Sequence, residues 1–160
     1  MIKKTVLIVM GGNSRERDIS IQTGKACIKA IKKIGYNTKT FDPKNESFLD
    51  INKNKANIIF NALHGEEGED GYAQSFFEYL KIPYTHSGVI SSMNAMNKIS
   101  SKKIFLKHNV KTPKYKVLKK KSLTKKNLKD IIKSQSFKFP LVVKPISEGS
   151  SIGVKICNNK

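Results

Sequence analysis

Ile58-Ile59-Phe60-Asn61-Ala62-Leu63 runs straight into His64-Gly65-Glu66-Glu67-Gly68-Glu69-Asp70-Gly71. The first six residues read as a buried strand. The next eight, with three glycines, four carboxylates and a histidine, make a poor core and a good binding loop. Glycine lets backbone approach a ligand, and ligands of open α/β sheets lie beyond the carboxyl ends of the strands. A solvated acidic turn would account for the glycines and carboxylates. It would not account for the most acidic stretch lying in so basic a chain.

The same pattern of strand, glycine loop and helix occurs earlier. Thr5 to Met10 is a short apolar run that reads as a buried parallel strand ending at Gly11-Gly12. A helix follows, capped by Asp18 or Ser20, with Cys27, Ala30, Ile31 and Ile34 on one face and Gly35 as its stop. Tyr36 to Phe41 reads as a second strand. Ala73, Phe76, Phe77 and Leu80 mark another helix, and Ile82 to Thr85 a short strand. Strands alternating with helices predict an α/β fold with a doubly wound parallel sheet.

Near residue 95 the pattern changes. A helix over 99–109, a break at Thr112-Pro113, a strand over 115–118 and a lysine-rich helix around Leu128, Ile131 and Ile132 lead to a strand over 139–143. The loop 146–153 then returns into a strand over 154–157. This predicts two domains, residues 1–95 and 96–160, the second with too thin a core to close a layer.

Composition bounds the function classes. The chain has 160 residues and a net charge of +19, yet 29 of its 31 basic residues are lysine. Readers of phosphate and base edges draw heavily on arginine, so the charge fits compositional drift better than a nucleic-acid face. The longest apolar run is far too short to span a membrane, which points to a cytoplasmic protein. Cys27 and Cys157 have no ligand spacing and read as buried free thiols.

Four stretches carry chemistry. Gly11-Gly12-Asn13-Ser14-Arg15-Glu16-Arg17 places Glu16 at a helix N-terminus by the sheet edge, although Glu16 between two arginines also reads as a surface salt bridge. His64 can carry a proton, donate to a carboxylate, or simply cap a strand. Lys144, following an apolar strand and pinned by Pro145, reads as a phosphate ligand or an edge-strand lysine. Glu148-Gly149-Ser150-Ser151-Ile152-Gly153 exposes backbone N–H groups that can cradle phosphate, as a polar hairpin tip also would.

Together the four are more specific than apart. Gly11-Gly12-x-Ser14-x-Glu16-Arg17, His64-Gly65-x-x-Gly68-Glu69-Asp70-Gly71, Pro83-Tyr84-Thr85-x-Ser87-Gly88, Met96-Asn97-Lys98, Val143-Lys144-Pro145 and Gly149-Ser150-Ser151-x-Gly153 follow one another in order. In this the chain resembles the amino-terminal half of the D-alanine–D-alanine ligases of the ATP-grasp superfamily. Asn97 departs from that family's usual aspartate.

The resemblance implies a doubly wound amino-terminal domain followed by the first part of an ATP-grasp central domain. It assigns Glu16 to the ammonium group of the first D-alanine and His64 to that substrate's carboxyl end. It assigns Lys98, Lys144, Glu148, Gly149, Ser150, Ser151 and Gly153 to ATP, with Glu16, His64 and Ser150 as the catalytic set. The implied reaction activates one D-alanine as an acyl phosphate, which a second D-alanine's amine attacks to give a peptidoglycan precursor. The implied partners are D-alanine, ATP and Mg2+, with a homodimer through the first domain. The family's magnesium ligands correspond to positions beyond Lys160, so no metal site is expected within these residues. A partial ligase, inactive alone, is the resulting expectation. The alternatives are a non-catalytic substrate-binding or oligomerising fragment, and a ligase taking D-lactate or D-serine second.

Overall fold

The structure, a computed structural model, describes residues 4–118, 125–134 and 137–158. Part of the lysine-rich stretch 107–138 and the last two residues, Asn159 and Lys160, lie outside the described residues. The chain forms two compact units, residues 1–97 and 98–160.

The first unit is built on three parallel strands in the order β2-β1-β3: β1 Thr5–Val9, β2 Asn37–Phe41 and β3 Ile58–Asn61. Leu7 pairs with Lys39 on one side and Ile59 on the other. The segment expected as a fourth strand makes only an isolated bridge, Tyr84 to Ile59, with Ile59 N–H donating to Pro83 O and Thr85 N–H to Ile59 O. Pro83 has no N–H to extend a ladder.

Side chains alternate across β1, the central strand, which is buried on both faces, whereas edge strand β2 buries only Phe41. Leu7 and Val9 join Phe41, Phe48, Ile51, Ile59 and Phe77 on one face. Val6 and Ile8 meet Ala62, Ile28 and Ile31 on the other. Helix α2, Tyr72–Tyr79, presents the expected residues Ala73, Phe76, Phe77 and Leu80 to the first of these cores. A 3-10 helix at Phe48–Asn54 and helix α3 at Val89–Met96 complete the unit; neither has a clear periodic signal in the sequence.

Helix α1, Arg17–Lys33, corrects two expectations. Its cap position is Glu16, because Ser20 is turned inward, accepting from Gly11 N–H and donating to Ala62 O, both at 2.8 Å. Its buried face is Ser20, Gly24, Ile28 and Ile31, whereas Ile34 is 70% exposed. Small residues draw the N-terminal half close to the sheet: a side chain at Gly24 would run into Met10. The helix does end at Gly35, whose N–H donates to Lys32 O while Tyr36 N–H reaches back to Ile31 O. Gly35 has φ +92°, the left-handed geometry such a stop requires.

The second unit contains α4 Lys98–Lys107, α5 Lys125–Ser134 and the antiparallel pair β4 Leu141–Val143 with β5 Lys155–Cys157. The strand expected over 115–118 does not form. That segment is held from α4 instead, by Lys102 Nζ donating to Thr112 Oγ1 at 2.6 Å and Pro113 O at 2.9 Å and lying over the Tyr115 ring. Cys27 and Cys157 are free and only half-buried. Among the described residues no helix is long and apolar enough to cross a membrane.

Candidate active site

The sheet positions the first site. The loops after β1 and β3 leave neighbouring strands at their carboxyl ends, where the helix connections pass to opposite faces and a crevice opens. Ser14 Oγ donates to His64 O at 2.7 Å and accepts from Glu16 N–H at 3.2 Å, which locks the two loops together. Gly65, at φ +71°, lies so close to Glu16 Oε2 that a side chain there would collide with it.

Glu16 is 4% exposed, and among the described residues its carboxylate has no hydrogen-bond or ion-pair partner. The surface salt bridge that its flanking arginines suggested is absent because Arg17 turns away to Asp42. A carboxylate that keeps a little solvent contact in a crevice and has no counter-charge beside it suits an incoming cation.

The acidic loop is itself well tied down. Gly68 O accepts from both Asn61 Nδ2 and Gln74 Nε2, and Asp70 accepts from the N–H groups of Glu67 and Tyr72. Of its four carboxylates, Asp70 and Glu69 are thus turned to the loop's own backbone, Glu69 through the Gly65 N–H. His64 is half-buried, with Thr23 Oγ1 at 3.1 Å from Nε2 and Glu69 Oε1 at 3.8 Å from Nδ1. A cavity of about 230 Å3 beside it is lined by Thr23, His64, Glu69, Gln74, His86 and Ser92. A larger one, about 480 Å3, lies by Thr5, Gly35 and Lys39 where the strands begin, the end of the sheet away from these loops.

The second unit assembles a different chemistry. Lys98 holds the loop after β4 by its backbone, N–H to Ile146 O at 3.0 Å, and by its side chain, Nζ to Glu148 O at 2.6 Å. Ser150 and Ser151 have φ values of 43° and 61°, and the turn closes through Ile152 N–H to Gly149 O and Val154 N–H to Ser151 O. Gly153, at φ +69°, fits against Pro145 where a side chain would not. Lys144, Ser150 and Ser151 are exposed. The structure thus brings Lys98 to Glu148 within this unit, and Glu16 to His64 and Gly65 within the first.

Known proteins resemble this chain in sequence and in fold. Residues 104–160 match the family described as D-ala D-ala ligase C-terminus. The D-alanine–D-alanine ligase of Pelagibacter ubique is 51% identical over 157 residues, which are 97% of this chain and 50% of that one. That of Wolbachia pipientis wMel is 43% identical, over 95% of this chain and 46% of the relative. The crystal structure of D-alanine–D-alanine ligase from Bacillus anthracis superposes with a TM-score of 0.81 at 39% identity, covering 98% of this chain and 50% of that one. In sequence and fold the chain is similar to the D-alanine–D-alanine ligases. It spans about half the length of the relatives it matches.

A second structure of the Bacillus anthracis ligase, complexed with ATP, is 35% identical with a TM-score of 0.77. Sequence reasoning missed the residues that support the two loops of the first unit: Ser20, Thr23, Asp42 and Asn61. The signal was present for two of them. Glu16, Ser20 and Thr23 fall at i, i+4 and i+7, a polar stripe along one helix face where apolar residues would be expected.

Proposed function

We propose that this chain is the amino-terminal part of an ATP-dependent D-alanine–D-alanine ligase, with residues 1–95 as the substrate-binding domain and 96–160 as the first part of the ATP-grasp central domain. The observation that carries the reading is Glu16, 4% exposed, with its unpartnered carboxylate against Gly65. Its charge suits the ammonium group of the first D-alanine, and His64 suits the carboxyl end.

Lys98, Lys144 and the loop Glu148, Gly149, Ser150, Ser151 and Gly153 form the donor set for ATP phosphates: two cationic side chains, hydroxyls and a turn whose residues take positive φ. ATP would supply the phosphoryl group that activates the first carboxylate for attack by the second D-alanine. Cations and N–H donors around the transferring oxygens stabilise the charge that develops there, and Ser150 is placed in this set. On this reading the magnesium ligands belong to the part of the ligase fold that corresponds to positions beyond Lys160. The product is a dipeptide for peptidoglycan. The same reading places the protein in the cytoplasm and pairs it as a homodimer through the first domain.

The test is a fusion of this chain to the second half of a relative's ligase, assayed for D-alanyl-D-alanine with ATP, Mg2+ and D-alanine. ATP-dependent dipeptide formation is expected. A folded fusion that binds neither D-alanine nor ATP overturns the proposal.

A further inference from the structure

Each ring nitrogen of His64 has its own neighbour. Nε2 lies 3.1 Å from Thr23 Oγ1, a hydrogen-bond distance, and Nδ1 lies 3.8 Å from Glu69 Oε1, too far for a direct bond. Neither neighbour is free to drift. Glu69 Oε2 accepts the Gly65 N–H at 2.9 Å, which holds the carboxylate beside the ring. Thr23 lies on α1 three residues after Ser20, whose hydroxyl ties that helix face to Gly11 and Ala62.

The chemistry of the two neighbours differs. An ionised carboxylate only accepts and repels a nitrogen lone pair, whereas a hydroxyl can donate. The lower-energy arrangement puts the ring proton on Nδ1, facing Glu69, with Thr23 O–H donating to Nε2. We propose that Thr23 and Glu69 are positioning residues that hold neutral His64 as its Nδ1–H tautomer, with Nε2 as the anchored end and Nδ1 as the working end. Because Glu69 sits beyond bonding distance, the Nδ1 proton stays available to an incoming acceptor. Resting on the ligase reading, that acceptor is the D-alanine carboxylate; the tautomer itself does not depend on it.

The tautomer can be read directly, since neutral imidazole in water favours Nε2–H. Long-range 1H–15N spectra of the 160-residue chain with labelled histidine rings, recorded at alkaline pH, distinguish the two forms, and H64Q identifies the His64 signals. His64 should show the Nδ1–H pattern while exposed His108 shows mainly Nε2–H. T23V keeps the bulk but removes the donor and should move His64 to mostly Nε2–H; T23S should keep the wild-type pattern. A wild-type His64 that is mainly Nε2–H, a T23V ring unchanged in a normally folded chain, or a T23S ring that behaves like T23V overturns the proposal. Should T23V not fold, E69A reads the other nitrogen, with a shift towards Nε2–H in support and an unchanged ring against. No ligand enters these measurements, so failure of the ligase reading, seen in the fusion assay, is a separate result.

Discussion

Arg17 donates to both carboxylate oxygens of Asp42, at 3.0 and 2.6 Å, and so ties the start of α1 to the end of β2. The same two residues shape the first loop, for Asp42 also accepts Gly12 N–H and Arg17 also donates to Gly12 O. Burial pushes the Asp42 carboxyl up, but the Arg17 hydrogen bond, the N–H groups of Gly12 and Lys44 and the Arg17 charge outweigh it and hold the carboxyl at about 2, below its ordinary 3.8. A carboxylate depressed in the folded state stabilises it fully above the ordinary value, and that contribution is lost as pH falls towards the folded one. Chemical unfolding followed against pH should show wild type losing stability across this acid window more steeply than Asp42→Asn. Parallel curves would remove Asp42 from the account of acid sensitivity.

Gly65 and Gly35 separate strain from collision. Both have positive φ, +71° and +92°, but an added methyl at Gly65 meets Glu16 Oε2, whereas at Gly35 it meets nothing within 4 Å. Each alanine variant should cost about 1–2 kcal/mol for the left-handed backbone. Only Gly65→Ala should also raise the first-site D-alanine KM in the completed enzyme, because only there is the carboxylate displaced. Equal KM values for the two variants would contradict this placement of Glu16.

Strand β1 was legible in the sequence because a parallel strand buried on both faces is a continuous apolar run, and Leu7, Ile8 and Val9 are wholly buried as such a run implies, whereas edge strand β2 has no such run and buries only Phe41. The buried face of α1 was misread because half of it is Ser20 and Gly24, residues that bury through hydrogen bonding and close approach rather than hydrophobicity. The segment 115–118 has strand-like residues, but its neighbours are Lys102 contacts rather than a ladder, and sequence alone gives no sign of that partner. Within the first site, motif order pointed to Glu16 and His64. Asp42 escaped notice because its role comes from a partner 25 residues away.

Lys98 should matter to the loop before it matters to ATP. Its ammonium is hydrogen-bonded to Glu148 O at 2.6 Å, and its own N–H donates to Ile146 O. Lys98→Met keeps the stem and the backbone bond but removes the side-chain bond. Hydrogen–deuterium exchange across residues 146–154 should rise in the variant even without nucleotide, and in the completed enzyme the ATP KM should rise with it. Unchanged exchange would mean that the loop is held without the ammonium.

Glu16 and Glu66 provide the sharpest contrast in the first unit. Both lie in the paired loops, yet Glu16 is 4% exposed without a partner among the described residues, while Glu66 is exposed. Glutamine preserves size and hydrogen bonding but removes the charge. A charge-assisted bond to an ammonium group in a partly dry site contributes about 1.5–3 kcal/mol. In the completed enzyme Glu16→Gln should therefore weaken first-site D-alanine roughly ten- to a hundredfold, with ATP affinity little changed. Glu66→Gln, whose carboxylate already faces solvent, should leave both within about twofold, as surface substitutions do. Isothermal titration with each ligand separates the cases. If Glu16→Gln acted chiefly on ATP, or if the two variants behaved alike, this loop would not be the amino-acid site.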